Sequence, residues 1–281
     1  MNTVNPDNLM IRRARQADLV EYLRGQGIDL LRDGSRHRHP EHDSLIFKGN
    51  AYYWNSRQES GNSIDYLVRH MGKTFPEAIR DLTRGSSGAT EVSNPLVVPA
   101  ITKDMRRAIA YLTKTRGISS RLVQELTRRK LILQTAERNN ILFPWYNQEG
   151  QIVGGELCGT LTHHRYKGIL PGSVYGKGYA IQYGQPNKAF FFESAIDMLS
   201  YIDILHIKKA AYIQDSIFVS MAGLKAEVVY SHQEAAGRVY ICVDSDQAGD
   251  KFWEGLQGKI EGIQRHSPPG CKDWNEYLKR S

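Results

Sequence analysis

Three carboxylates at the ends of two short apolar runs constrain this chain more than any other feature of its sequence. The first run, residues 189–192, ends at Glu193. The second, residues 239–243, ends at Asp244 and Asp246, 51 residues after the glutamate. Short apolar runs that alternate with helical patterns are typical of buried parallel strands, whose ligands lie at the carboxyl edge of the sheet. We therefore expect the three carboxylates to share one edge.

The segments between these runs predict an α/β fold. Apolar residues recur at a spacing of three from Ile196 to Leu205, which indicates a helix crossing back over the sheet. A further apolar run at 217–220 and a helical stretch around Val228 come before the Asp244 strand. Right-handed crossovers make the three strands of such a βαβαβ unit parallel. The sequence therefore predicts a Rossmann-like parallel sheet.

Carboxylates held this close together favour a divalent cation. Like charges raise one another's pKa unless a cation neutralises them, and hard oxygen ligands suit Mg²⁺. Mn²⁺ is an equivalent candidate. The alternative is that Asp244 and Asp246 only cap the helix that follows, a frequent use of aspartate. Because Glu193 ends an earlier strand and Asp273 lies downstream, we favour the metal site.

Three segments of the carboxyl-terminal third resemble the Toprim domain of DnaG-type bacterial primases, which topoisomerases and some nucleases share. The segments are 193–197, 244–249 and 272–278. The resemblance implies that Glu193 is a general acid/base and that Asp244 and Asp246 hold Mg²⁺. It also implies that Asp197 and Asp273 support the ions.

The resemblance continues upstream of this domain. Segments 141–154 and 165–168 resemble the primase segment that leads into Toprim and contacts template and nucleotide. Between about residue 105 and residue 180 the chain also resembles an uncharacterised domain that often precedes Toprim in proteins of mobile elements. Two positions depart from the primase pattern. Asn275 replaces a second downstream aspartate, which bears on a second metal site, and an arginine expected within 154–159 is missing, which bears on nucleotide binding.

The positive charge of the chain lies in one segment. Residues 101–185 contain 13 basic and 5 acidic residues, a net of +8, whereas the whole chain has a net charge of +7. Basic segments with interspersed aromatic residues are typical of single-strand nucleic-acid binding. The alternative is a solvated helix face, above all for residues 128–130. The candidates for phosphate contacts are Arg165, Lys167, Lys177 and Lys225.

The amino-terminal region predicts a small unit that resembles the zinc-binding domain of the same primases. A hairpin over 45–54 is followed by Ser60-Gly-Asn-Ser-Ile-Asp-Tyr-Leu67. An apolar helical pattern predicts a helix that starts near Asn62, and a capping box at 74–77 predicts a second helix. No cysteine precedes Cys158, so the usual zinc ligands are missing. We expect a zinc-ribbon-like fold without zinc.

Side-chain packing is expected to replace the metal in this unit. The residues that we expect to pack there are Phe47, Tyr53 and Trp54. The histidines His37, His39 and His42 are interpreted as surface residues, because three imidazoles in a loop without a thiolate are a poor zinc set.

Composition and the positions of glycine- and proline-rich segments predict the domain boundaries and the cellular location of the chain. We predict a zinc-ribbon-like domain at 1–85, a linker at 86–100, a basic primase-like subdomain at 101–185 and a Toprim domain at 186–281. The chain has no pattern of a signal peptide or of a membrane span, and its 3 cysteines are widely separated, which is typical of reduced cytosolic thiols. We expect a cytoplasmic protein.

These patterns together predict a primase-like nucleotidyltransferase. It would use ribonucleoside triphosphates to make short RNA primers on a single-stranded DNA template, with a replicative helicase or another replication protein as partner. Two alternatives remain open: a Toprim nuclease that uses the same carboxylates, and a non-catalytic single-strand-binding accessory protein.

Overall fold

The computed structural model describes residues 6–83, 95–161, 166–174, 176–210, 213–233, 236–260 and 262–281. The chain divides into two compact units, residues 1–92 and 93–281. It combines α-helices with two antiparallel sheets and one mostly parallel sheet, so the predicted fold class is confirmed. No helix in the described ranges is long and apolar enough to cross a bilayer.

The first unit packs helices against a five-stranded antiparallel sheet of order β1-β2-β3-β4-β5. Its helices are α1 (Pro6–Gln16), α2 (Leu19–Gly25), α3 (Ser63–His70) and α4 (Phe75–Thr83). Its strands are β1 (Leu31–Asp33), β2 (Arg36–Arg38), β3 (Leu45–Lys48), β4 (Ala51–Trp54) and β5 (Glu59–Asn62). The predicted hairpin is the β3–β4 pair. The helix predicted to start near Asn62 is α3, and the Asn62 side chain and Asp65 form a reciprocal capping box at its start.

One of the three side chains expected to replace zinc does not pack inside. Phe47 and Trp54 are buried, but Tyr53 is 49% exposed. Successive residues of a strand point to opposite faces, so Tyr53 cannot share a face with its neighbour Trp54. Trp54 instead contacts the ring of His42, which stacks on His39 at 4.9 Å, and the Arg57 guanidinium lies 3.8 Å from the centre of the Trp54 ring.

The second unit begins with a helical layer and a four-stranded antiparallel sheet of order β6-β7-β8-β9. The helices are α5 (Arg106–Ala110), which continues into a π-helical turn (Tyr111–Thr115), and α6 (Ser120–Arg128). The strands are β6 (Leu133–Gln134), β7 (Ile141–Tyr146), β8 (Ile152–Cys158) and β9 (Lys167–Ile169). Residues 95–100, which we expected in a linker, lie against this unit: the N–H of Val97 donates to Pro171 O at 3.1 Å.

The third sheet has the order β10-β12-β11-β13-β14. Its strands are β10 (Tyr179–Tyr183), β11 (Lys188–Phe192), β12 (Ser216–Ser220), β13 (Arg238–Ile241) and β14 (Ile263–Arg265), and its helices are α7 (Ala195–Ile207), α8 (Ala226–His232), α9 (Gln247–Leu256) and α10 (Trp274–Arg280). The strands β12, β11, β13 and β14 are parallel, and β10 joins the edge antiparallel to β12. The predicted parallel unit is therefore confirmed, with one strand added at each side.

One hydrophobic core connects the helical layer of the second unit to this sheet. In the sheet, the ring of Phe190 stacks between Tyr240 at 4.6 Å and Phe218 at 5.0 Å. Helix α7 is buried on nearly all sides. It carries the buried Asp203, which accepts hydrogen bonds from the backbone N–H and the hydroxyl of Ser119 at the start of α6. The parallel sheet and the helical layer therefore share one core and a buried hydrogen-bonded contact.

Candidate carboxylate site at the edge of the parallel sheet

Neighbouring strand ends bring the predicted carboxylates to one edge. Glu193 follows β11 directly, and Asp244 lies three residues after β13, its immediate neighbour in the sheet. Asp197 lies in the first turn of α7, and Asp273 caps α10 by accepting the N–H of Glu276 at 2.7 Å. The apolar strands end at the same height, so the polar residues that follow them gather there.

A tight loop fixes Asp244. The guanidinium of Arg265 donates to Asp244 O at 2.9 Å and to Gly249 O at 2.8 Å, which ties the loop to β14. Gly249 approaches so closely that a Cβ at this position would lie 2.1 Å from Asp244 O. Only glycine permits this approach.

Asp246 has two partners, one for each carboxylate oxygen. Its Oδ1 accepts the backbone N–H groups of Ala248 and Gly249 at 3.1 and 3.0 Å and so caps α9. Its Oδ2 lies 3.2 Å from Nζ of Lys272. The hydrogen bonds from Gly249 and Lys272 lower the pKa of Asp246, so this carboxyl group is ionised at neutral pH.

Asp197 is buried and oriented from two sides. The hydroxyl of Ser194 donates to its Oδ2 at 2.5 Å, and the backbone N–H of Asn275 donates to Oδ1 at 3.3 Å. Burial raises the pKa of Asp197, and the nearby Asp273 raises it further. The carboxyl group is thus held in position at an electrostatic cost.

The crowding of carboxylates is strongest at Asp244. Burial raises its pKa to about 7, and the charges of Asp197, Glu193, Asp273 and Asp246 all act in the same direction. The pKa of Glu193 is also raised, first by burial and then by Asp197 and Asp246. Each of these groups responds to the charge of the others, so the edge is an acidic cluster with mutual repulsion.

This cluster fits a hydrated divalent cation better than a fully coordinated one. Within the described ranges, no three His, Cys, Asp or Glu side chains converge closely enough to form a ready-made metal cage. Mg²⁺ is commonly bound by one or two carboxylates, with water and substrate phosphates as its other ligands. Mutual repulsion at Asp244 is the unfavourable term that a cation would remove.

Lys167 lies beside the acidic edge. It lines a cavity of about 290 Å³ together with Glu193, Glu156 and the turn at Ala222 and Gly223. Burial raises the pKa of Glu193, and the charge of Lys167 opposes part of this rise. Lys167 therefore brings a positive charge from the antiparallel sheet to the edge that carries the carboxylates.

The other predicted phosphate contacts are more scattered. Lys225 begins α8, and its Nζ lies 5.7 Å from the centre of the Trp145 ring. Lys177 is half-buried, and its charge lowers the pKa of His232. Arg165 lies outside the described residues. Of the three candidates that the structure describes, Lys167 is the one that lines the same cavity as Glu193.

Asn275 has a structural position behind the site. It is buried, and its amide nitrogen donates to Arg116 O at 2.7 Å and to the Ser200 hydroxyl at 2.9 Å. The guanidinium of Arg116 in turn donates to Asn275 Oδ1 at 3.4 Å and to the Tyr111 hydroxyl. The amide therefore joins α7 and α10 to the helical layer, with both donors and an acceptor in use.

Sequence reasoning missed Glu156. This residue lies on β8 and is buried, with both carboxylate oxygens 3.2 Å from the backbone N of Ala195 and Oε2 accepting from the Ser220 hydroxyl at 2.7 Å. Burial raises its pKa. The available signal was a glutamate between two glycines and two apolar residues, which is an unusual setting for a carboxylate.

Comparisons with known proteins agree with this architecture. Residues 110–188 match a family model described as a protein of unknown function, DUF3991, and residues 190–278 match one described as Toprim-like. An uncharacterised protein of Bacillus anthracis is 32% identical over 310 residues, which cover 96% of this chain and 89% of that protein. A 65 kDa protein of Zymomonas mobilis is 24% identical over 304 residues, which cover 94% of this chain and half of the relative.

Among solved structures, the zinc-binding and RNA polymerase domains of the Aquifex aeolicus primase align with 96% of this chain and 82% of theirs, at 16% identity and a TM-score of 0.41. The family assignment rests on the two family models and on the Bacillus anthracis relative. Both models fall where the sequence resembles an uncharacterised domain and Toprim. The chain therefore belongs to the family of the Bacillus anthracis protein and is itself a Toprim-domain protein, with a DUF3991 domain directly before the Toprim-like domain.

Proposed function

We propose that this protein is a primase-like nucleotidyltransferase that makes short RNA primers on single-stranded DNA with Mg²⁺ or Mn²⁺. The observation that carries the proposal is the acidic cluster at the sheet edge, in which the pKa of Asp244 is raised to about 7. The family assignment supports a Toprim site at this position. Lys167 in the adjoining cavity supports a substrate that carries phosphate groups.

The side chains have distinct roles in this proposal. Asp244 and Asp246 would hold the cation, and Asp197 and Asp273 would support it from α7 and α10. A bound divalent cation supplies charge stabilisation to the transferred phosphoryl group and to the leaving pyrophosphate. Glu193, whose pKa is raised, is suited to take or give a proton at the reacting oxygen, or to hold the ion. Lys167 would contact the phosphates.

The basic segment is the proposed binding surface for the template. Arg121 and Arg128 are exposed on α6, seven residues apart and therefore on the same face of the helix. Their charges would attract the phosphate backbone of single-stranded DNA. A replicative helicase or another replication protein is the expected partner of such an enzyme.

Two other functions use the same features. A Toprim nuclease would use the same carboxylates to hydrolyse DNA, and an accessory protein would only bind single strands. The carboxylates at Glu193, Asp244 and Asp246 speak against the accessory role, because a binding surface for DNA gains nothing from repelling its phosphates.

One assay separates the three functions. Purified protein is incubated with single-stranded DNA, labelled ribonucleotides and Mg²⁺ or Mn²⁺, and both the nucleotides and the DNA are analysed on a denaturing gel. New labelled oligomers that disappear with Glu193→Gln support priming. Shortened DNA that depends on the same residue contradicts priming and supports the nuclease. Binding without either product contradicts both enzymes.

A further inference from the structure

Glu156 is a buried carboxyl group that none of the roles above uses. It belongs to the antiparallel sheet, on β8, yet its two hydrogen-bond donors belong to the parallel sheet and its helix. A buried carboxyl group is unfavourable unless its hydrogen bonds compensate for lost hydration. The residue therefore stabilises a specific arrangement of the two layers rather than the fold in general.

The two donors flank the strand end that carries Glu193. Ala195 is the first residue of α7 and follows Glu193 by two positions. Ser220 ends β12, the parallel neighbour of β11. Immediately beyond it, the N–H of Met221 donates to Phe192 O at 2.9 Å and the N–H of Gly223 donates to Glu193 O at 2.7 Å.

Glu156 also shares a wall with Glu193. Both side chains line the cavity of about 290 Å³ that contains Lys167. The strand β9, which carries Lys167, pairs with β8 next to Glu156. The carboxyl group of Glu156 thus contacts the start of α7 and the end of β12. Its own strand, β8, pairs with the strand that carries Lys167.

We propose that Glu156 is a positioning residue: it holds the turn that begins at Glu193 and so fixes the position of the Glu193 carboxyl group relative to Asp244. By accepting from Ala195 and Ser220 together, it fixes the turn that begins at Glu193 on both sides. The proposal rests on the proposed metal-dependent function, because it concerns the same acidic edge. Groups that orient metal ligands from behind affect metal affinity and activity without touching the metal.

A matched pair of variants tests the proposal. Glu156→Ala and Asp203→Ala each remove a buried carboxyl group that accepts one backbone N–H and one serine hydroxyl, but Asp203 joins α7 to the start of α6 instead of to the edge. Glu156→Gln keeps an oxygen that can accept from both donors. Each protein is assayed for melting temperature, Mn²⁺ affinity by calorimetry and primer synthesis.

The expected results differ between the variants. Glu156→Ala should lower Mn²⁺ affinity and the kcat of primer synthesis by about tenfold, with the KM for ribonucleotides nearly unchanged. Glu156→Gln should stay within about threefold of wild type in both measurements, since hydrogen bonding rather than charge is what positions the turn. Asp203→Ala should lower the melting temperature by a similar amount but keep Mn²⁺ affinity within about twofold, because Asp203 holds α7 to Ser119 and makes no contact with the turn after Glu193.

Several outcomes would overturn the positioning role. The first is a Glu156→Ala variant that binds Mn²⁺ as tightly as wild type. The second is a Glu156→Gln variant that loses as much Mn²⁺ affinity as Glu156→Ala, which would implicate charge. The third is an equal loss of Mn²⁺ affinity in Asp203→Ala, which would implicate a general loosening of the fold. If the wild type makes no primers but Glu156→Ala still loses Mn²⁺, priming is refuted and positioning stands. If the wild type makes primers and Glu156→Ala has the same activity and Mn²⁺ affinity, priming is supported and the positioning role is refuted. A wild type that binds no Mn²⁺ refutes both.

Discussion

The approach of Gly249 to Asp244 predicts a sharp difference between two glycines of one helix. A Cβ on Gly249 would lie 2.1 Å from Asp244 O, whereas a Cβ on Gly255 would meet no atom within 4 Å. Both glycines belong to α9. Gly249→Ala should therefore push the Asp244 loop outward, and Gly255→Ala should leave it in place.

The magnitude follows from two opposing terms. Overpacking of this kind typically costs about 1–3 kcal/mol. The better helix propensity of alanine returns about 0.5–1 kcal/mol. The difference between these two ranges is a net loss of about 0–2.5 kcal/mol, and the clash with a backbone oxygen places Gly249→Ala in its upper half. Gly255→Ala has no clash to overcome, so it should gain about 0.5 kcal/mol.

Stability and metal affinity are measured on the same samples. Urea denaturation gives the free energy of unfolding, and calorimetry gives the affinity for Mn²⁺. Gly249→Ala should lower both the free energy of unfolding and the affinity for Mn²⁺, because the clash acts on the backbone of Asp244, a proposed ligand. Gly255→Ala should bind Mn²⁺ as tightly as wild type. If Gly249→Ala is as stable as wild type and binds Mn²⁺ equally well, the loop is not tightly packed and the assignment of Asp244 as a fixed ligand is wrong.

Three further predictions concern pH, zinc and DNA. Because the folded-state pKa of Asp244 is raised to about 7, protons compete with the cation, and Mn²⁺ affinity should rise about tenfold between pH 6 and pH 8. The same shift means that the ionised form of Asp244 destabilises the metal-free fold. Its contribution to stability is greatest below the unfolded-state pKa and is lost as the pH rises through 7. Asp244→Asn should therefore raise the melting temperature of the metal-free protein at pH 8 and change it little at pH 4. Elemental analysis of untagged protein should find far less than one zinc per chain; stoichiometric zinc that is lost when the first unit unfolds would implicate His37, His39 and His42. Reversing both exposed arginines of α6, Arg121→Glu with Arg128→Glu, should weaken single-stranded DNA binding and flatten its salt dependence in fluorescence anisotropy, and unchanged affinity and slope would mean that this face is only solvated.

The parallel sheet was predictable because its signals are local. The strands β11, β12 and β13 are continuous apolar runs, and chain connectivity with right-handed crossovers fixes their direction. The gathering of Glu193 and Asp244 at one edge follows from these two facts. The antiparallel strand β10 was not predicted, because a strand that joins a sheet from outside the βαβ unit leaves no periodic signal of its pairing partner.

The environment of individual side chains was less predictable. We expected Tyr53 to pack in the core beside Trp54, but the alternation of side chains along the strand places it on the exposed face. Glu156 was not identified from the sequence, because its role depends on contact between its strand and the start of α7. Asn275 raised a question about a metal ligand, and the structure shows a buried amide that joins two helices to Arg116. Each of these outcomes depends on contacts between residues that are distant in the sequence.

At Asp246, helix capping is compatible with the metal binding that we propose. One oxygen of its carboxylate caps α9, which fixes the side chain, and the other oxygen faces Lys272 at 3.2 Å. A cap therefore orients the carboxylate and lowers its pKa, and both effects favour a ligand that remains ionised. Because Asp244 has the opposite shift, the pair combines one permanently charged oxygen donor with one whose charge depends on the cation. The cap of α9 therefore supports the role as a metal ligand that we propose for Asp246.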